Sequence, residues 1–154
     1  MTINIFIARH GEAENAFPDC DRKLTTTGIN QAKMVSGFLQ KLCPDFESFE
    51  KVIVSPYVRA QETAKYILDG INYKEIETES LLVPNADSDL LIGYLEAIIE
   101  ENKNYLIVSH LPLVGLIVLG LTNKSVSFKP GTIVKLTRDN DGNYFISQTY
   151  TPNP

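Results

Sequence analysis

Arg9-His10-Gly11-Glu12 follows a short apolar run, Ile3 to Ala8, and the chain's only other histidine, His110, follows another, Tyr105 to Val108. A strand that stops and hands the chain to a helix leaves its last residues on the rim of a parallel sheet, where open α/β folds place their ligand crevice. Strands lying side by side would make the two imidazoles converge. A third run, Val52 to Val54, delivers Ser55 and Arg59 to the same rim. Arginine is used sparingly: ten lysines stand against four arginines, and three of those four, Arg9, Arg22 and Arg59, lie in or beside strand-end turns. Guanidinium groups bind phosphoryl oxygens in a planar, bidentate way that lysine cannot copy, so this economy points to a dianionic phosphate ligand. Helix N-termini starting at the rim add oriented N–H groups and a favourable dipole. Two histidines and two arginines around one phosphoryl group provide a nucleophile and a clamp.

The elements that must hold these residues are legible in the periodicity. Ile3, Ile5 and Ile7 with Phe6 give a β-branched, nearly continuous apolar strand, the pattern of one covered on both faces. Glu12 to Lys23 reads as a polar loop, after which a threonine of Thr25-Thr26-Thr27 can cap a helix with Ile29, Ala32, Val35, Leu39 and Leu42 on one face, ended by Pro44. Val52 to Val54 is a second strand closed by Ser55-Pro56, and Arg59 to Leu68 has helical composition. A weaker extended segment lies near Tyr73 to Glu77; Leu90 to Ile99 then forms an amphipathic helix that Asp87 or Ser88 can cap. Leu106 to Val108 is the third clear strand, and Leu113 to Leu121 is a helix apolar all round, which predicts burial between the sheet and its neighbours. Thr132 to Leu136 and Tyr144 to Thr149 flank Asn140-Asp141-Gly142-Asn143, a hairpin signal. The order implies an α/β fold: a three-layer α/β/α sandwich whose central sheet is mostly parallel, with an antiparallel C-terminal edge hairpin.

At 154 residues the chain suits one domain, residues 1–154, able to bury about two thirds of its unfolded surface without disulfide or metal. A net charge of −5 argues against general attraction to nucleic acid or an anionic membrane, so an anion site has to be built residue by residue. Cys20 and Cys43 are too few for a secreted disulfide scaffold and read as reduced thiols of a cytoplasmic protein. They also lack the cysteine, five residues, arginine loop of cysteine-based phosphatases. No secretion signal opens the chain, and the most apolar stretch, Tyr105 to Leu121, is interrupted by Ser109, His110 and Pro112 and falls short of the ~20 residues a membrane span needs. A metal is not expected, because histidines set beside arginines repel a divalent cation and no ligand cluster has metal spacing.

Ala8-Arg9-His10-Gly11-Glu12, then Ser55-Pro56-Tyr57-Val58-Arg59-Ala60-Gln61-Glu62-Thr63-Ala64, then Val108-Ser109-His110-Leu111-Pro112-Leu113-Val114 resemble, in order, the motifs of the histidine phosphatase superfamily. Within it the chain is most similar to the small SixA-type phosphohistidine phosphatases, by its size and by Arg22-Lys23-Leu24-Thr25-Thr26-Thr27-Gly28. The resemblance implies a phosphoglycerate mutase-like fold without lid insertions, no cofactor, and a substrate protein such as a histidine-phosphotransfer domain phosphorylated on histidine. It also implies a transiently phosphorylated His10, with Arg9, Gly11, Arg22, Arg59 and His110 as the phosphate-binding set. The chain is expected to act as a monomer.

In this reading His10 attacks phosphorus through one ring nitrogen while the other donates to a backbone carbonyl, and Arg9, Arg59 and a protonated His110 hold the equatorial oxygens. The superfamily's general acid has no clear counterpart: Leu82 stands near its expected place, leaving Glu79 and Asp87 as candidates against the simpler reading of solvated charges or caps. Glu12 reads as a turn carboxylate in an ion pair, and Ser55 and Ser109 as turn-shaping residues. Two alternatives stand beside the phosphohistidine phosphatase: a small-molecule phosphomonoesterase of the same superfamily, and a phosphate-binding interaction module without turnover.

Overall fold

The computed structural model describes residues 2–42 and 44–154. In chain order they form β1 (Ile3–Arg9), α1 (Thr26–Gln40), β2 (Phe49–Val54), α2 (Val58–Ile67), β3 (Tyr73–Thr78), α3 (Ser88–Ile98), β4 (Asn104–Ser109), α4 (Leu113–Thr122), β5 (Ile133–Arg138) and β6 (Tyr144–Tyr150). Cys43 lies outside the described residues; Cys20 is exposed with a free thiol.

One sheet in the order β3-β2-β4-β1-β5-β6 runs through the molecule, with β3, β2, β4 and β1 parallel and β5 and β6 antiparallel. Alternation along each strand splits the core in two. Phe6, Ala8, Val52, Val54, Leu106 and Val108 point into a cluster with Ala32, Val35 and Leu39 of α1 and Ala60, Ala64 and Ile67 of α2. Ile5, Ile7, Ile53, Tyr105 and Ile107 point the other way, against Leu91 and Leu95 of α3 and Leu113, Val114, Ile117 and Val118 of α4. Helices thus cover both faces of a mostly parallel sheet, as the alternating pattern implies. Among the described residues no helix is long and apolar enough to cross a membrane.

The register sets the rim. Ala8 pairs with Val108 and Arg9 with Ser109, while Val54 pairs with Val108, so β1, β2 and β4 end at one level. Backbone bonds extend that register one step further, from the His10 N–H to the Ser109 carbonyl (3.0 Å) and from the Ser55 N–H to the Val108 carbonyl (3.0 Å). Gly142 closes the β5–β6 hairpin with φ +86°, a left-handed conformation that costs glycine little.

Four details differ from the sequence expectation. α1 ends at Gln40, ahead of Pro44. The segment from Glu12 to Lys23 is tied down by a bridge between Ala13 and Leu24 and carries a turn of 3-10 helix at Asp19–Asp21. The weak extended segment is a real strand, β3, but an edge strand exposed along most of its length. α4 is not enclosed: its inner face is buried, yet Leu116 and Leu119 on its outer face are exposed, because α3 packs along only one side of it.

Candidate active site

Each strand end on the common level delivers one part of the site. β1 gives Arg9 and then His10, whose ring lies 5.0 Å from that of His110, supplied by β4. β2 gives Ser55, and the first turn of α2 gives Arg59. Arg9, His10, Arg59 and His110, together with Gly11, Arg22, Leu111 and Pro130, line a crevice of about 340 Å³ at the C-terminal edge of the parallel strands, whereas Ser55 is fully buried and reaches it only through His110. A larger cleft of about 610 Å³ between α2 and β3 brings together Ala64, Leu68, Tyr73 and Ile76, without the paired histidines and arginines of the smaller one.

His10 is held by both ring nitrogens. Its Nδ1 lies 2.6 Å from the Gly11 carbonyl, an acceptor, so Nδ1 carries the proton and Nε2 the lone pair. The Arg59 Nε donates to that Nε2 at 3.2 Å. Gly11 is fixed in turn: its N–H donates to the Thr63 hydroxyl (3.1 Å), which donates to the Arg59 carbonyl (2.7 Å). A Cβ on Gly11 would stand 2.5 Å from the Gly28 carbonyl, so the turn after β1 and the start of α1 touch backbone to backbone.

The arginines are placed differently from one another. Arg59 is almost fully buried, and its two terminal nitrogens grip Asp19, one on the backbone carbonyl (2.7 Å) and one on the carboxylate (3.2 Å). Arg22 comes back over the crevice through its Asp19–Asp21 turn, its Nε on the Glu14 carbonyl (2.6 Å) and its Nη1 on the other oxygen of Asp19 (3.1 Å). Arg9 donates to the Phe128 carbonyl (2.9 Å), and its buried Nε has no partner. Burial, and then the charge of Arg59, lower the pKa of Arg9 from its ordinary value.

Both imidazoles are neutral in this environment. Burial pushes the His10 pKa down to about 4; the bond to the Gly11 carbonyl opposes this, and Arg59, Arg9 and Arg22 reinforce it. Burial also pushes His110 down to about 3, helped by His10 and Arg59, opposed by Asp19, and helped again by Arg9. His110 is therefore neutral in the free site, while the protonated His110 expected from sequence belongs to the site with a phosphoryl group bound. Ser55 supplies the reason a neutral ring can serve: its Oγ lies 2.7 Å from His110 Nε2 and accepts from the Tyr57 N–H at 3.3 Å. A Ser55 hydroxyl donating to Nε2 puts the imidazole proton on Nδ1, which has no partner in the protein.

Asp19 was not among the residues the sequence singled out; nothing but its place three residues before Arg22 hinted at the pairing. Burial is the largest single influence and raises its pKa, but hydrogen bonds and charge from Arg22 and Arg59 together outweigh it and hold the carboxyl below the usual carboxylate range. Tyr57 was also missed: its ring packs edge-on against His110 (5.1 Å) and lies 5.0 Å from the Arg59 guanidinium. Of the two serines, Ser109 donates to the Leu82 carbonyl (2.7 Å), whereas Ser55 pairs with a histidine 55 positions away. Glu12 accepts from the Thr25 hydroxyl (2.6 Å) rather than forming the expected ion pair. Glu79 and Asp87 do not line the crevice. Their carboxylates cap, respectively, a short 3-10 turn through the Leu81 N–H and α3 through the Asp89 N–H.

The profile of the Histidine phosphatase superfamily (branch 1) matches residues 5–83. A phosphohistidine phosphatase SixA homolog of Haemophilus influenzae is 38% identical over 97% of this chain and 97% of its own length. Phosphohistidine phosphatase SixA of Escherichia coli is 34% identical over 92% of this chain and 89% of its own. Among solved structures, the protein histidine phosphatase SixA complexed with tungstate superposes with a TM-score of 0.87 at 33% identity, covering 97% of each chain.

Proposed function

The chain belongs to branch 1 of the histidine phosphatase superfamily, and from that premise we propose that it removes phosphate from phosphohistidine in a protein, with His10 as the nucleophile. One observation carries the reading: Nδ1 of His10 is committed to the Gly11 carbonyl, so the lone pair on Nε2 sits between Arg59 and a second histidine in an arginine-lined crevice.

Nε2 of His10 attacks phosphorus, and the substrate's P–N bond breaks, its electron pair passing to the substrate imidazole, which takes up a proton from solvent. A water oxygen then attacks the phosphoryl group on His10, releasing inorganic phosphate and restoring the lone pair on Nε2. In a loose transition state the charge rests on the equatorial oxygens, where positioned donors stabilise it most. Arg9, Arg22 and Arg59 supply charged donors, the Gly11 turn shapes the floor, and His110 directs its Nδ1–H, which has no partner in the protein, as a further donor. Binding a dianion favours a second proton on His110, so the charged clamp forms with the substrate.

The engagement of Glu79 and Asp87 as caps favours an imidazole leaving group over an alcohol. A phosphohistidine has a labile P–N bond and asks less of a strong acid than an alkyl ester does. The fitting partner is a cytoplasmic protein phosphorylated on histidine, such as a histidine-phosphotransfer domain, acted on by a monomer. Phosphate release from such a phosphorylated domain, compared with release from sugar phosphates, tests the assignment. The proposal expects a strong preference for the phosphorylated domain, lost in His10→Ala; a preference for sugar phosphates contradicts it.

A further inference from the structure

α4 leads away from the crevice with an apolar face that the described residues do not cover. From Ser109 to Asn123 the only ionisable side chain is His110. Leu113, Val114, Ile117 and Val118 are buried on the sheet side, whereas Leu116 and Leu119, three residues apart on the outer side, remain 43% and 42% exposed. The stripe begins at the site itself: Leu111 is 42% exposed and lines the crevice, and Leu116 lies one turn beyond Pro112, its N–H on the Pro112 carbonyl at 3.2 Å. Phe17, 98% exposed, stands two residues from Asp19, the carboxylate that joins Arg22 and Arg59. Single exposed leucines are ordinary on any surface. A charge-free stripe continuous with a substrate crevice is the kind of patch that marks an interaction site.

Resting on the phosphohistidine reading, we propose that Leu111, Leu116, Leu119 and Phe17 form the docking surface for the folded protein that carries the phosphohistidine, received against one of its helices. Leu111 belongs to both the stripe and the crevice, so whatever lies on the stripe stands at the mouth of the site. A substrate protein has to stand there to insert its side chain, while a second copy of this chain would obstruct entry. A small phosphoester filling only the crevice leaves the stripe unused. The outer face of α4 offers a helix ridge with a notch at Gly115, where a Cβ would meet nothing within 4 Å, a shape suited to ridges-into-grooves packing against another helix. Its lack of charge fits a partner whose phosphohistidine is flanked by apolar residues, the composition favoured in the buried centre of an interface.

The test uses two probes on the intact chain: a histidine-phosphotransfer domain phosphorylated on its histidine, and free phosphohistidine. The ratio of kcat/KM for the domain to that for the free amino acid exceeds one in the wild type. It falls by about tenfold or more in the double variant Leu116→Glu/Leu119→Glu, as expected when charge enters the centre of an interface. Phe17→Ala lowers the ratio in the same direction. Unchanged hydrolysis of free phosphohistidine in these variants shows that the fold and the crevice are intact. A wild-type ratio of one or less, or a ratio the substitutions leave alone, overturns the docking surface while sparing the phosphohistidine reading. A dimer dispersed by the same double substitution, with the ratio unchanged, assigns the stripe to a second copy and also overturns it. A wild type that hydrolyses neither probe contradicts the underlying reading and takes the proposal with it.

Discussion

His10 and His110 lie buried beside three guanidinium groups; burial first, and then the neighbouring positive charge, makes the neutral imidazole the cheaper form of both. With folded pKa values of about 4 and about 3, below the ordinary 6.5, the unfolded chain binds more protons than the native one as pH falls. Stability is therefore fully present above the unfolded value of 6.5 and is lost as the pH falls from there toward the folded values. These are the chain's only histidines, so urea unfolding between about pH 7 and 5, above most carboxylate titration, isolates their effect. His10→Asn should flatten the dependence, and the His10 ring resonances in the wild type should titrate near 4 rather than 6.5. A midpoint near the ordinary value would contradict the account of a neutral nucleophile. At this scale the four residues at strand ends were legible, because a histidine or arginine just past an apolar run has few places to go but the rim. Asp19 was not, since an acid in a polar loop looks solvated until the loop folds back onto Arg59. Ser55 looked like a turn residue because its partner lies far along the chain.

The turn after β1 and the start of α1 act as one element. A Cβ on Gly28 would stand 2.1 Å from the Glu12 carbonyl, and the N-cap Thr25 joins the same corner, accepting from the Gly28 N–H (3.1 Å) while donating to the Glu12 carboxylate (2.6 Å). Thr25→Ala should cost about 1 kcal/mol, the usual value of a lost N-cap. Gly28→Ala should cost more and should also lower turnover, because the Glu12 backbone it displaces is joined to Gly11, whose carbonyl fixes the His10 tautomer. Urea denaturation beside steady-state rates checks both; a Gly28→Ala protein of wild-type stability and activity would contradict the close packing. The helices and strands were readable from period and capping residues, and even the edge strand β3 was visible as a weak extended segment. The uncovered face of α4 was not, because a helix apolar on every side gives no sign of which side the rest of the chain leaves bare.

At the scale of the whole molecule, the α/β/α layering exists to bring three parallel strand ends to one level, and alternating periodicity made that architecture readable before any contact was known. What periodicity does not carry is strand order: β4 sits between β1 and β2 although it follows both in the chain, and this placement is what sets His110 beside His10. A site built of guanidinium groups and imidazoles should respond to oxyanions and ignore chelators; among the described residues no cluster of three or more His, Cys, Asp or Glu could hold a metal. Phosphate or tungstate at about one hundred times its Kd should raise unfolding stability by about 2.7 kcal/mol in a thermal or urea titration, with EDTA leaving activity unchanged. Loss of activity with EDTA, restored by a divalent cation, would contradict this view. The central claim, turnover through a phosphoryl group carried on His10, has one direct measurement. Incubating the protein with a radiolabelled phosphorylated histidine-phosphotransfer domain, quenching in alkali and locating the label should place acid-labile, alkali-stable phosphate on His10 of the wild type and none on His10→Ala. A wild type that turns over without ever carrying label, or a His10→Ala protein that still acquires it, would contradict the account.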